Sequence, residues 1–181
     1  MQAQDIKAHL AELGQELQDL GVEHPVRILM IGGAFMLTQV RNRSTTDDVD
    51  VLLKDVDDPT ISPLYQTFKT AVQAVASRNR ISITWINDII ADFLRNVGTV
   101  PEGVLWRTYA MLEVYIPPDE YILALKLLAN RQKDQEDIQA LCQQLRIQTR
   151  EQAQQIVDRY VSEKEVQQLS GLDKTLRILF P

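Results

Sequence analysis

Apolar residues at Ile6, Leu10, Leu13, Leu17 and Leu20 recur every three or four positions, with Asp5, Glu12, Glu16 and Asp19 between them. That period predicts an amphipathic helix, which Gly21 is placed to stop. The run Val26–Ile31 (VRILMI), bounded by Pro25 and Gly32, is dense in branched apolar residues and predicts a buried strand. Gly32 and Gly33 then turn the chain into a short helix, AFMLTQV. Residues 47–53 (DDVDVLL) alternate as a strand with one polar face does, and Asp55, Asp57, Asp58 and Pro59 form the loop after it. A helix is expected over 62–77, with Leu64, Phe68, Val72 and Val75 inward. A third strand is expected over 81–86 (ISITWI), a helix over 87–97, and a fourth strand over 109–116 (YAMLEVYI), closed by Pro117 and Pro118. Beyond that proline pair nothing reads as a strand. Helices are expected over 119–131, 134–145, 149–161 and 169–179. The pattern therefore divides the chain into an α/β part, 1–117, and an all-helical part, 118–181.

Composition narrows the class. Of 181 residues 45% are hydrophobic and 24% charged, values of a chain that can build a core. Lysine and arginine total 19 against 25 acidic residues, a net charge of −6, so nucleic acid is not held by bulk attraction. A local basic patch would be needed, and Arg41, Arg43, Arg78 and Arg80 supply candidates. Cys142 is the only cysteine, which excludes a disulfide scaffold and a cysteine-based zinc site. The opening residues lack a basic-then-apolar leader, and no apolar run approaches the roughly 20 residues that span a bilayer. A cytoplasmic location with no membrane partner is the expectation.

The chemistry concentrates in the second strand. Asp48 and Asp50 are two apart, so they project from one face with Cα atoms about 6.5 Å apart, while Val49, Val51 and Leu53 enter the core. Two hard oxygen ligands side by side suit Mg²⁺, which binds through one or two carboxylates plus phosphates and water. The plainer reading is an exposed acidic strand face. Gly32 and Gly33 favour the first: they end a buried strand and open a helix, where backbone N–H groups receive anions and no Cβ keeps a triphosphate away. Lys126 stands between Leu125 and Leu127 in an apolar helix, with Arg131, Asp134 and Asp137 following. On its own that block reads as a snorkelling lysine and a charged corner. His9 and His24 read as surface residues, Cys142 as a buried thiol, and Trp85 and Trp106 as packing.

The segment IGGAFMLTQVRNRSTTDDVDVLL resembles the signature of the DNA polymerase beta-like nucleotidyltransferase superfamily: strand, Gly-Gly, short helix, then Asp-x-Asp. Arg43 and Thr46 match the flanking pattern of small bacterial members of the abortive-infection and toxin–antitoxin type. WIND (85–88) and ALKLLANRQKDQEDIQAL (124–141) are similar to later blocks of that group, so the resemblance covers about residues 26–145. Fourteen residues separate Gly33 from Asp48, at or slightly beyond the usual spacing, and a longer turn at 42–46 absorbs the excess. The resemblance implies an α+β fold: a mixed sheet flanked by helices, with a C-terminal helical subdomain. It implies Mg²⁺-dependent transfer of a nucleoside monophosphate from an NTP to a hydroxyl of RNA (a tRNA end among them), of protein or of a small molecule. A cognate toxin or antitoxin is an implied partner. Asp48 and Asp50 would hold the metal, with Gly32, Gly33, Arg43 and Thr46 at the nucleotide. Lys126 would face the triphosphate, and Arg131 with Asp134 or Asp137 would complete the cleft. The third carboxylate is open among Asp88, Glu113, Asp134 and Asp137, with Asp88 preferred because it ends a strand. The alternative is a module of the same fold that has lost its chemistry and serves as an antitoxin or scaffold.

Overall fold

A computed structural model describes residues 1–56 and 58–181; Asp57, in the acidic loop after the second strand, lies outside the described residues. Helix α1 (Ala3–Asp19) buries Ile6, Leu10, Leu13 and Leu17, as its period requires, whereas Leu20 caps its end and is exposed. Strand β1 (Val26–Ile31) runs into α2 (Gly32–Phe35), which widens into a π turn over Met36–Val40 and stops at Arg41 in the left-handed conformation. Strand β2 (Val49–Leu53) and helix α3 (Pro63–Asn79) follow. The start of α3 carries Ser62 as its cap, accepting from the Tyr65 N–H at 3.2 Å, and proline at the first helical position. Then come β3 (Ile86–Asn87), α4 (Ala91–Val97), β4 (Val104–Tyr109) and β5 (Leu112–Ile116). The remainder is α5 (Asp119–Ala129), a 3₁₀ turn (Gln132–Asp134), α6 (Gln135–Leu145), α7 (Arg150–Tyr160), α8 (Lys164–Leu169) and α9 (Leu172–Leu179).

The five strands form one mixed sheet in the order β3-β2-β1-β5-β4. β1 pairs antiparallel with β2 and parallel with β5; β2 and β3 are parallel, β4 and β5 antiparallel. Val26, Ile28 and Met30 of β1 join Val49, Val51 and Leu53 of β2 in a core with the apolar stripes of α1 and α3. The chain is therefore α+β, a mixed sheet flanked by helices with further helices after it.

Several elements differ from expectation: the helix expected over 87–97 begins at Ala91, and the strand expected over 109–116 begins at Leu112. The strand predicted over 81–86 contracts to Ile86 and Asn87. Ser82 turns the chain instead, its hydroxyl accepting from Thr84 N–H at 3.1 Å and its carbonyl from Trp85 N–H at 3.1 Å, a local alternative to a ladder. β4 was not foreseen. Val104 and Leu105 are exposed and only Trp106 and Tyr109 pack partly against the core, so it lacks the alternation that announces a strand, and Ala110 at φ 46° turns it into β5. The helix predicted over 169–179 is interrupted by Gly171 at φ 70°, which separates α8 from α9.

The chain forms two compact units, Met1–Ala91 with Glu102–Ile116, and Asp92–Pro101 with Pro117–Pro181. The second unit takes in residues that a division at 117 would leave with the sheet. Thr99 N–H donates to Tyr160 O at 2.7 Å, and a Cβ on Gly98 would collide with that same carbonyl. Among the described residues no helix is long and apolar enough to cross a membrane.

Candidate functional site

Register builds the site. Ile31, the last residue of β1, lies opposite Asp50 of β2, and Asp50 lies opposite Asn87 of β3. The glycine corner, the Asp-x-Asp strand and Asn87 therefore stand in one row across three neighbouring strands. Val49 and Val51 are fully buried in the core, so Asp48 and Asp50, of opposite parity, project from the other face and are half-buried.

Gly32 sits at φ 65°, a left-handed conformation that glycine adopts without strain, and a Cβ there would run into Asp50 Oδ2. At Gly33 an added Cβ would strike Thr46 Oγ1 and come within 3.5 Å of Arg43 Nη1. The two glycines thus let Asp50, Thr46 and Arg43 close on the end of β1. Thr46 is buried, donates its hydroxyl to Asp48 O at 3.1 Å, and is tied by its own N–H to Met1 O at 3.0 Å. That loop absorbs the long spacing between Gly33 and Asp48. Because α2 holds only four residues before its π turn, glycine backbone rather than a long helix dipole characterises the corner.

Asn87 is the residue that sequence reasoning missed. Its Nδ2 donates to Asp50 Oδ1 at 3.0 Å and to Asp48 Oδ2 at 3.3 Å, joining the two carboxylates. Its neighbour Asp88 goes elsewhere, 3.3 Å from Lys69 Nζ. Glu113 does not reach the row either. It pairs in register with Arg27, five residues before Gly32 and so about 16 Å along the strand. Its carboxylate accepts instead from Tyr115 OH at 2.9 Å. Asparagine in WIND was the available signal, overlooked because a carboxylate was sought there.

The lysine block forms a cluster of ion pairs. Lys126 is buried, with Nζ 2.6 Å from both Asp134 Oδ1 and Asp137 Oδ2. Both acids are themselves buried, Asp137 completely, inside the helical unit. In the expected role at a triphosphate, a phosphate would meet a lysine already paired with two carboxylates. Arg131 is exposed ahead of the 3₁₀ turn, while Asp134 pairs with Lys126. Arg78 is occupied by Glu16 at 2.6 Å, which removes it from the proposed basic patch. Trp85 is core, donating to Val72 O at 3.2 Å, His9 packs edge-on against it, and Cys142 is half-buried with its thiol pushed up by burial.

The donor set can be tested against the implied Mg²⁺. Two adjacent carboxylates and a Cβ-free corner fit an ion that takes one or two carboxylates and completes its shell with phosphate and water. Among the described residues no group of three or more His, Cys, Asp or Glu could hold a metal.

A family model described as "Nucleotidyltransferase of unknown function (DUF6036)" matches residues 8–170. The chain belongs to this nucleotidyltransferase family. The matched span contains the glycine corner, both aspartates, Asn87 and the Lys126 cluster. No curated protein and no solved structure matches the nucleotidyltransferase chain significantly.

Proposed function

We propose that this nucleotidyltransferase moves a nucleoside monophosphate from an NTP to a hydroxyl of RNA, protein or a small molecule, with Mg²⁺, and that it serves in a toxin–antitoxin setting. The observation that carries the reading is the row formed by Gly32, Asp50 and Asn87, with Asp48 on the same strand face. Gly32 and Gly33 bring bare main chain to the phosphates, and Arg43 and Thr46 close the corner beside them. Asp48 and Asp50 hold the metal, which when bound neutralises phosphate oxygens and steadies an in-line displacement. The acceptor oxygen bonds to the α-phosphorus, the bridging oxygen leaves with pyrophosphate, and the hydroxyl proton passes to water. Lys126, Asp134 and Asp137 shape the helical unit rather than the reaction.

A second reading, nucleotide binding without transfer, is favoured by one observation: an amide, not a third acid, faces the aspartates. Incubation with α-³²P-NTPs, Mg²⁺ and in turn tRNA, the protein itself and an aminoglycoside separates the two. Label should reach one acceptor and fall at least about a hundredfold in the Asp48→Asn/Asp50→Asn variant. Transfer that persists in the double variant overturns the assignment; Mg²⁺-dependent NTP binding without any transfer selects the second reading.

A further inference from the structure

We propose that Asn87 fixes the cation capacity of this site at one divalent ion, by presenting an amide N–H₂ group where a third carboxylate would permit two. The inference rests on the metal-assisted reading above. Parallel pairing sets Asn87 directly opposite Asp50, and Nδ2 reaches both Asp50 Oδ1 at 3.0 Å and Asp48 Oδ2 at 3.3 Å. The orientation of that amide is fixed at its other end, where Oδ1 accepts the Ile89 N–H at 3.2 Å. Flipping it would set the amide oxygen against two carboxylates and its N–H₂ against a backbone donor, so every contact opposes the flip. In the orientation observed, Asn87 offers the acids a donor and no lone pair, and it is not a ligand.

Charge leads to the same count. Two divalent ions would bring four positive charges to two carboxylates. Before a nucleotide adds its own phosphate charge, their repulsion at the roughly 3.5–4 Å spacing of paired ions would meet, among the described residues, no group of three acids to offset it. A single ion needs only one or two carboxylates, with phosphate and water for the rest. The bridge also divides the work of Asp50, whose Oδ1 turns to Asn87 while Oδ2 faces the Gly32 corner. Asn87 is thus a positioning residue for both acids.

Mn²⁺ titration of the full chain, followed by electron paramagnetic resonance alone and with α,β-methylene-ATP, tests this with a readout independent of turnover. One protein-bound Mn²⁺ per wild-type chain is expected. Asn87→Asp should raise the count to two or tighten the first ion at least tenfold. Two ions on the wild type, or a folded Asn87→Asp protein (checked by circular dichroism) with unchanged count and affinity, overturns the inference and leaves the metal-assisted reading standing. No bound Mn²⁺ on the wild type under either condition overturns both. The wild-type count decides even if the variant fails to fold.

Discussion

Gly33 lies so close to Thr46 that the corner has no room for a methyl group. Gly33→Ala would push Thr46 away from Asp48 O, opening the loop that carries Asp48. A cost of about 1–3 kcal/mol in urea unfolding is expected from the overpacking. Mg²⁺-dependent NTP binding, measured by calorimetry, should weaken at least tenfold; unchanged affinity would show that the glycine serves packing alone. At this scale the sequence was partly legible. Asp48, Asp50 and the two glycines stood out because strand parity and backbone freedom are local properties. Asn87 did not, since its role comes from a register between strands separated by helix α3, and register is not written in either strand alone.

The elements of the helical unit are held by a buried charge cluster that links α5 to the 3₁₀ turn and α6 through Lys126, Asp134 and Asp137. Lys126→Met would remove the ammonium that both buried carboxylates contact, and a loss of about 3–5 kcal/mol in denaturant unfolding is expected. Adding Asp134→Asn and Asp137→Asn should recover part of that loss, because the buried negative charge is then gone. If Lys126→Met unfolds like the wild type, the cluster is not what joins these helices. Most helices were legible from their three- and four-residue period, and β1 from its apolar run between Pro25 and Gly32. β4 was not, because an edge strand with a register slip at Leu105/Arg107 and only Trp106 and Tyr109 partly buried shows no strict alternation. The ion pairs of Lys126 were not legible, because a lysine among leucines does not show which of the acids that follow it will meet its ammonium; its substrate-facing role was implied by the family resemblance alone.

Across the sheet unit, Arg27 at the start of β1 grips Asp55 after β2, its Nε 2.9 Å from Asp55 Oδ1. The Arg27 hydrogen bond, opposed by partial burial and supported by its charge, holds the Asp55 carboxyl below the usual carboxylate range. A depressed folded value contributes stability above the unfolded value near 4 and loses it as pH falls through the folded one. Melting temperature followed from pH 7 to pH 2 should therefore drop more steeply on the acid side for the wild type than for Asp55→Asn. Equal slopes would show that the pair does not act on stability.

The sheet as a whole also carries its own stoppers. On one flank β3 offers only Ile86 and Asn87 for pairing, and the side chain of Asn87 is already committed to its neighbours. On the other flank β4 slips register between Leu105 and Arg107, and Arg107 is exposed at the slip. A bulge and a charge on an outer strand discourage another chain from adding to it. Val104 and Leu105 can then remain in water without templating a sixth strand, and the molecule keeps both rims from growing into a fibril.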